Sequence, residues 1–182
     1  MNRTTLNVRQ NRVGRFAPSP TGPLHFGSLV AAVGSYLEAR ANGGQWLVRI
    51  EDVDRPRAMP GIAEGQIAAL AAYGFVWDGV ILRQSERTAA YQSAFDRLIV
   101  AGLAYPCTCT RSRLAATVGL RQGIDGLVYP GHCATWRPGD PVPAVAAWRF
   151  RVPPGDIDFA DRVCGHRSQN LLRDVGDFPL LR

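Results

Sequence analysis

The 182-residue sequence predicts an α/β fold built on a parallel sheet, and three observations carry that expectation. Strand-like apolar runs at Val13–Phe16 and 45–51 alternate with helix-period segments at 28–41 and 61–73. Each run opens into a loop marked by proline, glycine or acidic residues, where ligands bind in such sheets, beyond the carboxyl ends of the strands. A balance of 46% hydrophobic and 20% charged residues is that of a globular chain with one proper core.

Residues 1–12 hold three arginines and no apolar run, so they read as a disordered extension, neither a secretory signal nor an anchor. No later stretch approaches the roughly 18 apolar residues of a spanning helix, and the expected location is the cytoplasm. After the first strand, Ala17-Pro18-Ser19-Pro20-Thr21-Gly22-Pro23 excludes regular structure. Leu29, Val30, Val33, Leu37 and Ala41 then recur at helical spacing until Asn42-Gly43-Gly44 stops the helix. Gln45-Trp46-Leu47-Val48-Arg49-Ile50-Glu51 is a second strand, 61–73 a helix closed by Gly74, 85–101 a further helix and 103–108 a further strand. From Cys107 to Pro143 glycine, proline and cysteine dominate, and strand-like pieces return at 147–152 and 178–181. The resulting division is an extension 1–12, a nucleotide-binding half-domain 13–106, an insertion 107–145 and a return to the first domain over 146–182. The chain stops at Leu180-Leu181-Arg182 within a strand-like run, so the sheet is expected to be incomplete.

Net charge +6 and a pI near 9.7 suit a polyanionic partner. All 21 basic residues are arginine, however, which in an alanine-rich chain reflects coding bias as much as phosphate binding. Four irregularly spaced cysteines do not form the paired framework of a small secreted domain; a metal site or buried thiols fit better.

The first loop and the helix start read Gly14-Arg15-Phe16-Ala17-Pro18-Ser19-Pro20-Thr21-Gly22-Pro23-Leu24-His25-Phe26-Gly27-Ser28. A strand opening through such a loop into a helix presents unpaired N–H groups and the positive helix end, a natural seat for phosphate. The G-x-G-x-x-G dinucleotide fingerprint is absent, so ordinary NAD binding is not supported. The segment R-F-A-P-S-P-T-G-x-L-H-x-G resembles the first ATP signature of the glutamyl-tRNA synthetase group of class I aminoacyl-tRNA synthetases. That resemblance implies a class I Rossmann-like catalytic domain, with Mg-ATP and glutamate as substrates. It makes His25, Gly27 and Ser28 the catalytic candidates, the histidine stabilising charge on the α-phosphate as the glutamate carboxylate attacks in line. Ser28 stands where the broad class often has a second histidine, and is expected only to cap the helix. Pro18, Ser19, Pro20, Thr21, Gly22, His25 and Gly27 would hold ATP; Arg15, Phe16, Ala17, Pro18, Ser19 and Glu51 would hold glutamate.

Arg49-Ile50-Glu51-Asp52-Val53-Asp54-Arg55-Pro56-Arg57 resembles the same family's R-x-E-D-x-D-x-x-R stretch, in which Glu51 would meet the substrate ammonium. The plainer reading is that Glu51, Asp52 and Asp54 pair with neighbouring arginines at the surface. Cys107-Thr108-Cys109 and Tyr129-Pro130-Gly131-His132-Cys133 offer three thiols, a phenol and an imidazole, while structural zinc wants four ligands. Chemistry alone favours His132 as the fourth donor; merely buried thiols are the alternative. The pattern C-x-C then Y-x-x-x-C is similar to the zinc element of the glutamyl-Q tRNA(Asp) synthetase branch, and that resemblance implies Cys107, Cys109, Tyr129 and Cys133 as ligands of one structural zinc. Cys164 is an ordinary thiol, and Trp46, Trp77 and Trp148 are core or rim aromatics.

The resemblance implies a ligase that forms glutamyl adenylate and transfers glutamate to the queuosine base of tRNA(Asp), acting as a monomer when complete. The second ATP signature of that family contains a lysine, and the chain has none, so activity is expected to be weak or absent unless a second polypeptide completes it. The rival expectations are the amino-terminal part of an ordinary glutamyl-tRNA synthetase and a non-catalytic, zinc-stabilised tRNA-binding module.

Overall fold

The structure, a computed structural model, describes residues 12–117, 119–124 and 126–181. The expected extension 1–12 lies, but for Arg12, outside the described residues. Residues up to Ala89 form one compact unit and those from Ala90 a second.

In the first unit β1 (Val13–Phe16), β2 (Gln45–Ile50) and β3 (Leu82–Arg83) form a parallel sheet in that order. Helix α1 (Phe26–Ala41) connects the first pair and α2 (Ile62–Ala72) the second. The pairing Phe16↔Val48 brings the carboxyl ends of β1 and β2 to one edge, from which the proline loop and the acidic run both leave. Strand β2 alternates buried and more open residues, with Trp46, Val48 and Ile50 turned into a core completed by Phe16, Ala32, Ala39, Leu70 and Phe75. Trp46 lies at the centre of this core. Its ring stacks on Phe16 and Phe75 at 6.4 and 5.4 Å and takes the edge of Tyr36 at 5.1 Å, and its Nε1 donates to Ser35 Oγ at 3.0 Å. Helix α1 lies against β1 so closely that a Cβ on Gly14 would sit 2.8 Å from the Ser35 carbonyl oxygen.

Asp78 fastens the far end of β2. Its carboxylate accepts from Trp46 N at 2.7 Å and Arg40 at 2.8 Å. The single helix expected over 85–101 is divided: a 3-10 turn at Gln84–Arg87 precedes α3 (Thr88–Val100). Asp52 explains the turn, because its two carboxylate oxygens accept from Ser85 N and Ser85 Oγ at 2.9 and 2.7 Å.

The second unit is antiparallel. Strand β4 (Ala104–Cys107), expected to extend the parallel sheet, instead pairs antiparallel with β7 (Ala147–Phe150), which pairs with β10 (Pro179–Leu181). Cys107 is the register partner of Ala147, so residues 108–146 are an excursion that leaves and rejoins the sheet at adjacent strand ends. It contains α4 (Arg111–Ala115) and the short strands β5 (Gln122–Gly123) and β6 (Gly126–Leu127). An exposed hairpin of β8 (Ile157–Asp161) and β9 (Gly165–Gln169), then α5 (Leu171–Asp174), precede β10. The buried centre is small, consisting of Tyr105, Cys107 and Tyr129, with Leu114, Cys133 and Trp136 packed against it. No described helix is long and apolar enough to cross a membrane.

Candidate functional site

At the carboxyl edge of the parallel sheet the proline loop is tied down from three directions. Glu51 N donates to Pro18 O at 2.9 Å, Met59 N to Pro20 O at 2.9 Å, and the buried Gln66 amide donates to both Ser19 O and Gly22 O at 3.1 and 2.7 Å. Three prolines leave few conformations to freeze, and these bonds select one. The result is a pocket of about 130 Å³ lined by Ser19, Pro20, Thr21, Glu51, Asp54, Arg57 and Ala58. The structure thus brings four of the expected site residues to one cavity and adds Asp54 and Arg57 to its wall, with Gln66 bracing the loop. Gln66 escapes sequence reasoning because a glutamine within an apolar helix carries no signal of what lies above it.

His25 caps α1. With extended backbone, it accepts the Ser28 N–H on Nδ1 at 3.3 Å. This corrects the expectation for Ser28, which is three residues past the cap and receives it through its backbone. The ring rests over Gly27, where an added Cβ would approach Cε1 and Nδ1 to 3.1 and 3.2 Å. No acidic residue stands in the first turn to offset the positive helix end.

Arg15 is exposed on β1, and its guanidinium makes no ion pair among the described residues. Phe16 points the opposite way into the core, which leaves only its backbone to a ligand. Ala17 and Pro18 are half-buried at the same strand end. Glu51 accepts from Arg49 Nε at 2.7 Å, and Asp54 pairs with Arg57, so the plainer reading holds for these two carboxylates. It fails for Asp52, which caps the 3-10 turn. A paired carboxylate still has lone pairs for a second cation, and Glu51 is positioned on the pocket wall.

In the second unit the three thiols converge, their sulfurs all within 4.8 Å of one another. Cys109 Sγ lies 3.8 Å from Cys133 Sγ, and Tyr129 OH lies 3.3 and 3.8 Å from the sulfurs of Cys107 and Cys109. A tetrahedral zinc with bonds of about 2.3 Å to sulfur and 2.0 Å to oxygen needs edges of about 3.8 Å between sulfurs and about 3.5 Å from sulfur to oxygen. Three of the six edges, one between sulfurs and two from sulfur to the phenol oxygen, lie near those lengths. Tyr129 OH also accepts from Cys133 N at 2.9 Å, a bond that a ligating oxygen can keep. His132 is exposed, its ring centroid 6.4 Å from that of Tyr129, and is not among the converging donors. The return loop is held by Arg151, which donates to the carbonyls of Gly102, Ala134 and Trp136.

Burial pushes the Cys107 thiol up, but its hydrogen bonds with the Tyr129 phenol and the Arg149 guanidinium outweigh it and bring its pKa down to about 7. Burial, and then the hydrogen bonds with Cys107 and Cys133, holds the Tyr129 phenol above its ordinary value. Cys109 is raised, chiefly by burial. Cys164 is exposed on the hairpin.

Residues 12–125 match the family described as tRNA synthetases class I (E and Q), catalytic domain. The chain is 55% identical over 170 residues to the glutamyl-Q tRNA(Asp) synthetase of Thiobacillus denitrificans and 56% identical over 170 residues to that of Dechloromonas aromatica. These alignments cover 93% of the chain and 55% and 56% of the relatives, so the chain spans about half their length. The solved glutamate-tRNA synthetase of Elizabethkingia anophelis superposes with a TM-score of 0.73 at 28% identity, covering 93% of this chain and 39% of that one. A glutamate tRNA ligase from Elizabethkingia meningosepticum, solved in complex with its amino acid, gives 0.75 at 28% identity, covering 95% and 39%. With a parallel sheet, a capped phosphate-type loop and this match over most of its length, the chain belongs to the class I tRNA synthetase (E and Q) catalytic-domain family.

Proposed function

We propose that the chain carries the ATP- and glutamate-binding part of an enzyme that activates glutamate as its adenylate and transfers it to the queuosine base of tRNA(Asp). The observation that supports this most is the joining of the proline loop to the acidic strand end around one pocket, with His25 fixed at the adjoining helix start. In this reading Pro18, Ser19, Pro20, Thr21 and Gly22 enclose Mg-ATP. The Nε2–H of His25, with the free N–H groups of Phe26 and Gly27, meets the α-phosphate, where charge develops as the carboxylate attacks. A side chain at Gly27 would crowd the ring and displace it by a few tenths of an ångström, and Ser28 acts through the N–H that orients the ring.

Arg15 supplies the guanidinium for a substrate carboxylate and Glu51, shared with Arg49, the charge for its ammonium, while Phe16 and Ala17 contribute backbone. The chain has no lysine, so within these residues His25, arginines and backbone N–H groups are left to offset phosphate charge. Residues 107–145 form the metal-binding insertion, with Cys107, Cys109, Tyr129 and Cys133 as the ligands of one structural zinc. The metal fixes the excursion and takes no part in the transfer.

The queuosine acceptor rests on the names of the relatives at 52–56% identity. The solved structures named as glutamate-tRNA synthetases favour the alternative of charging at the tRNA terminus. The test supplies the protein with ATP, labelled glutamate and tRNA(Asp) with or without queuosine. Label only on the queuosine-containing tRNA, at a level well below that of a full-length relative, is the expected result. Label on queuosine-free tRNA establishes the terminal-charging alternative. Salt-sensitive tRNA binding that needs no ATP and survives His25→Ala, without label on either tRNA, overturns both and leaves a binding module.

A further inference from the structure

Four anionic ligands around a divalent ion leave a formal charge of about −2 in the zinc reading just given. That charge would sit where Cys107 is 2% and Tyr129 7% exposed, and unmatched charge in such a place is costly. A candidate counter-charge lies one strand away. Arg149 on β7 is the register partner of Tyr105, and Cys107 follows on the same face of β4. Its Nε donates to Cys107 Sγ at 3.3 Å, and its guanidinium carbon lies 3.8 Å from the centre of the Tyr129 ring. NH1 donates to the backbone carbonyl of Asp177 at 2.7 Å, which fixes the plane. The Asp177 carboxylate is turned elsewhere, to the Tyr105 hydroxyl and, at 2.9 Å, the Val152 N–H, so it does not form an ion pair with Arg149.

We propose that Arg149 is a positioning residue of the metal centre: its guanidinium offsets the thiolate charge at Cys107 and, stacked on Tyr129, holds the phenol oxygen among the three sulfurs. The inference rests on the metal reading above. Only a planar, delocalised cation can do both, covering a ring with its face while donating to sulfur from its edge. A lysine ammonium would supply charge without the stack. Arg149 thereby makes a phenol serviceable as fourth ligand in place of the imidazole of His132, which is exposed nearby.

The test measures zinc affinity of the 182-residue chain by competition with a chromophoric chelator, and the spectrum of its cobalt(II) form, in the wild type, Arg149→Met and Arg149→Lys. Arg149→Met is expected to lose about 10–100-fold in zinc affinity, the range for removal of a group that supports metal ligands, with altered cobalt–thiolate bands. Arg149→Lys should recover part of the affinity but not the wild-type spectrum. A purely structural role predicts a lower melting point for the metal-free protein with unchanged affinity and spectrum, and that result overturns the proposal. If Arg149→Met does not fold, an Arg149→Lys protein with wild-type affinity and spectrum overturns it equally. A wild-type chain that binds no zinc refutes the metal reading itself, a distinct outcome.

Discussion

The two compact units are held in different ways. In the first, an aromatic and aliphatic core of Phe16, Trp46, Val48, Ile50, Leu70 and Phe75 surrounds one polar side chain, Gln66. In the second the comparable place is taken by Tyr105, Cys107 and Tyr129, tied to Arg149 and Asp177, while the β8–β9 hairpin stays exposed. Apolar burial of the first kind needs no ligand, so the loop above it is formed in advance. A cluster of thiols and phenol buries little apolar surface and gains its full value with a metal ion. The unit with the proposed chemistry is held by packing, while the one with the insertion would, on the proposed metal reading, gain much of its stability from an ion.

Metal removal should separate the units most sharply. Chelation of the zinc-loaded protein is expected to weaken amide protection in Ala104–Cys107 and Ala147–Phe150, and to leave that of Gln45–Ile50 in place. The stabilisation at stake is on the order of 10 kcal/mol, as for small zinc-dependent folds, and hydrogen exchange read by mass spectrometry reports it. Conversely, Leu70→Ala empties a fully buried site in the first unit and should cost about 2–5 kcal/mol in denaturant unfolding, with zinc per chain unchanged.

Smaller changes sharpen the picture within the first unit. Gln66→Leu removes the donors to Ser19 O and Gly22 O and should cost about 1–3 kcal/mol, with a weaker affinity for ATP in calorimetry. Unimpaired ATP binding in that variant would mean that the loop holds its shape without the clamp. Asp78→Asn is expected to have the mildest effect, one that depends on pH. The Trp46 N–H first, then Arg40, holds the Asp78 carboxyl below its ordinary value against the effect of burial. A depressed folded pKa gives stability that is complete above the unfolded value near 4 and is lost as pH falls through the folded one. Urea midpoints of wild type and Asp78→Asn should therefore differ at pH 7 and converge in acid.

Much of the first unit is legible in sequence because its elements carry period and punctuation: alternation in β2, helical spacing before Asn42-Gly43-Gly44, and prolines that mark the loop. Strand β3 is two residues long and shows no period, and both strands of the β8–β9 hairpin are exposed, so no apolar alternation announces them. Strand β4 is legible as a strand but not in its direction of pairing, since a continuously buried run fits either sheet type. The proline loop and the helix start at His25 are legible as local structure, whereas Gln66 and Arg149 meet their partners across tertiary contacts that spacing does not encode. The choice between His132 and Tyr129 is open to chemistry, is made for Tyr129 by the resemblance, and is supported by the distances among the donors.

The central claim is that the proline loop and the start of α1 form the ATP site, and the most direct test is calorimetric titration of ATP into the 182-residue chain and its His25→Ala variant. The account predicts measurable binding that weakens about 10–100-fold in the variant, the value of one hydrogen bond to a charged phosphate, with the melting temperature little changed. Equal ATP affinity in the two proteins, or none in the wild type, would contradict it.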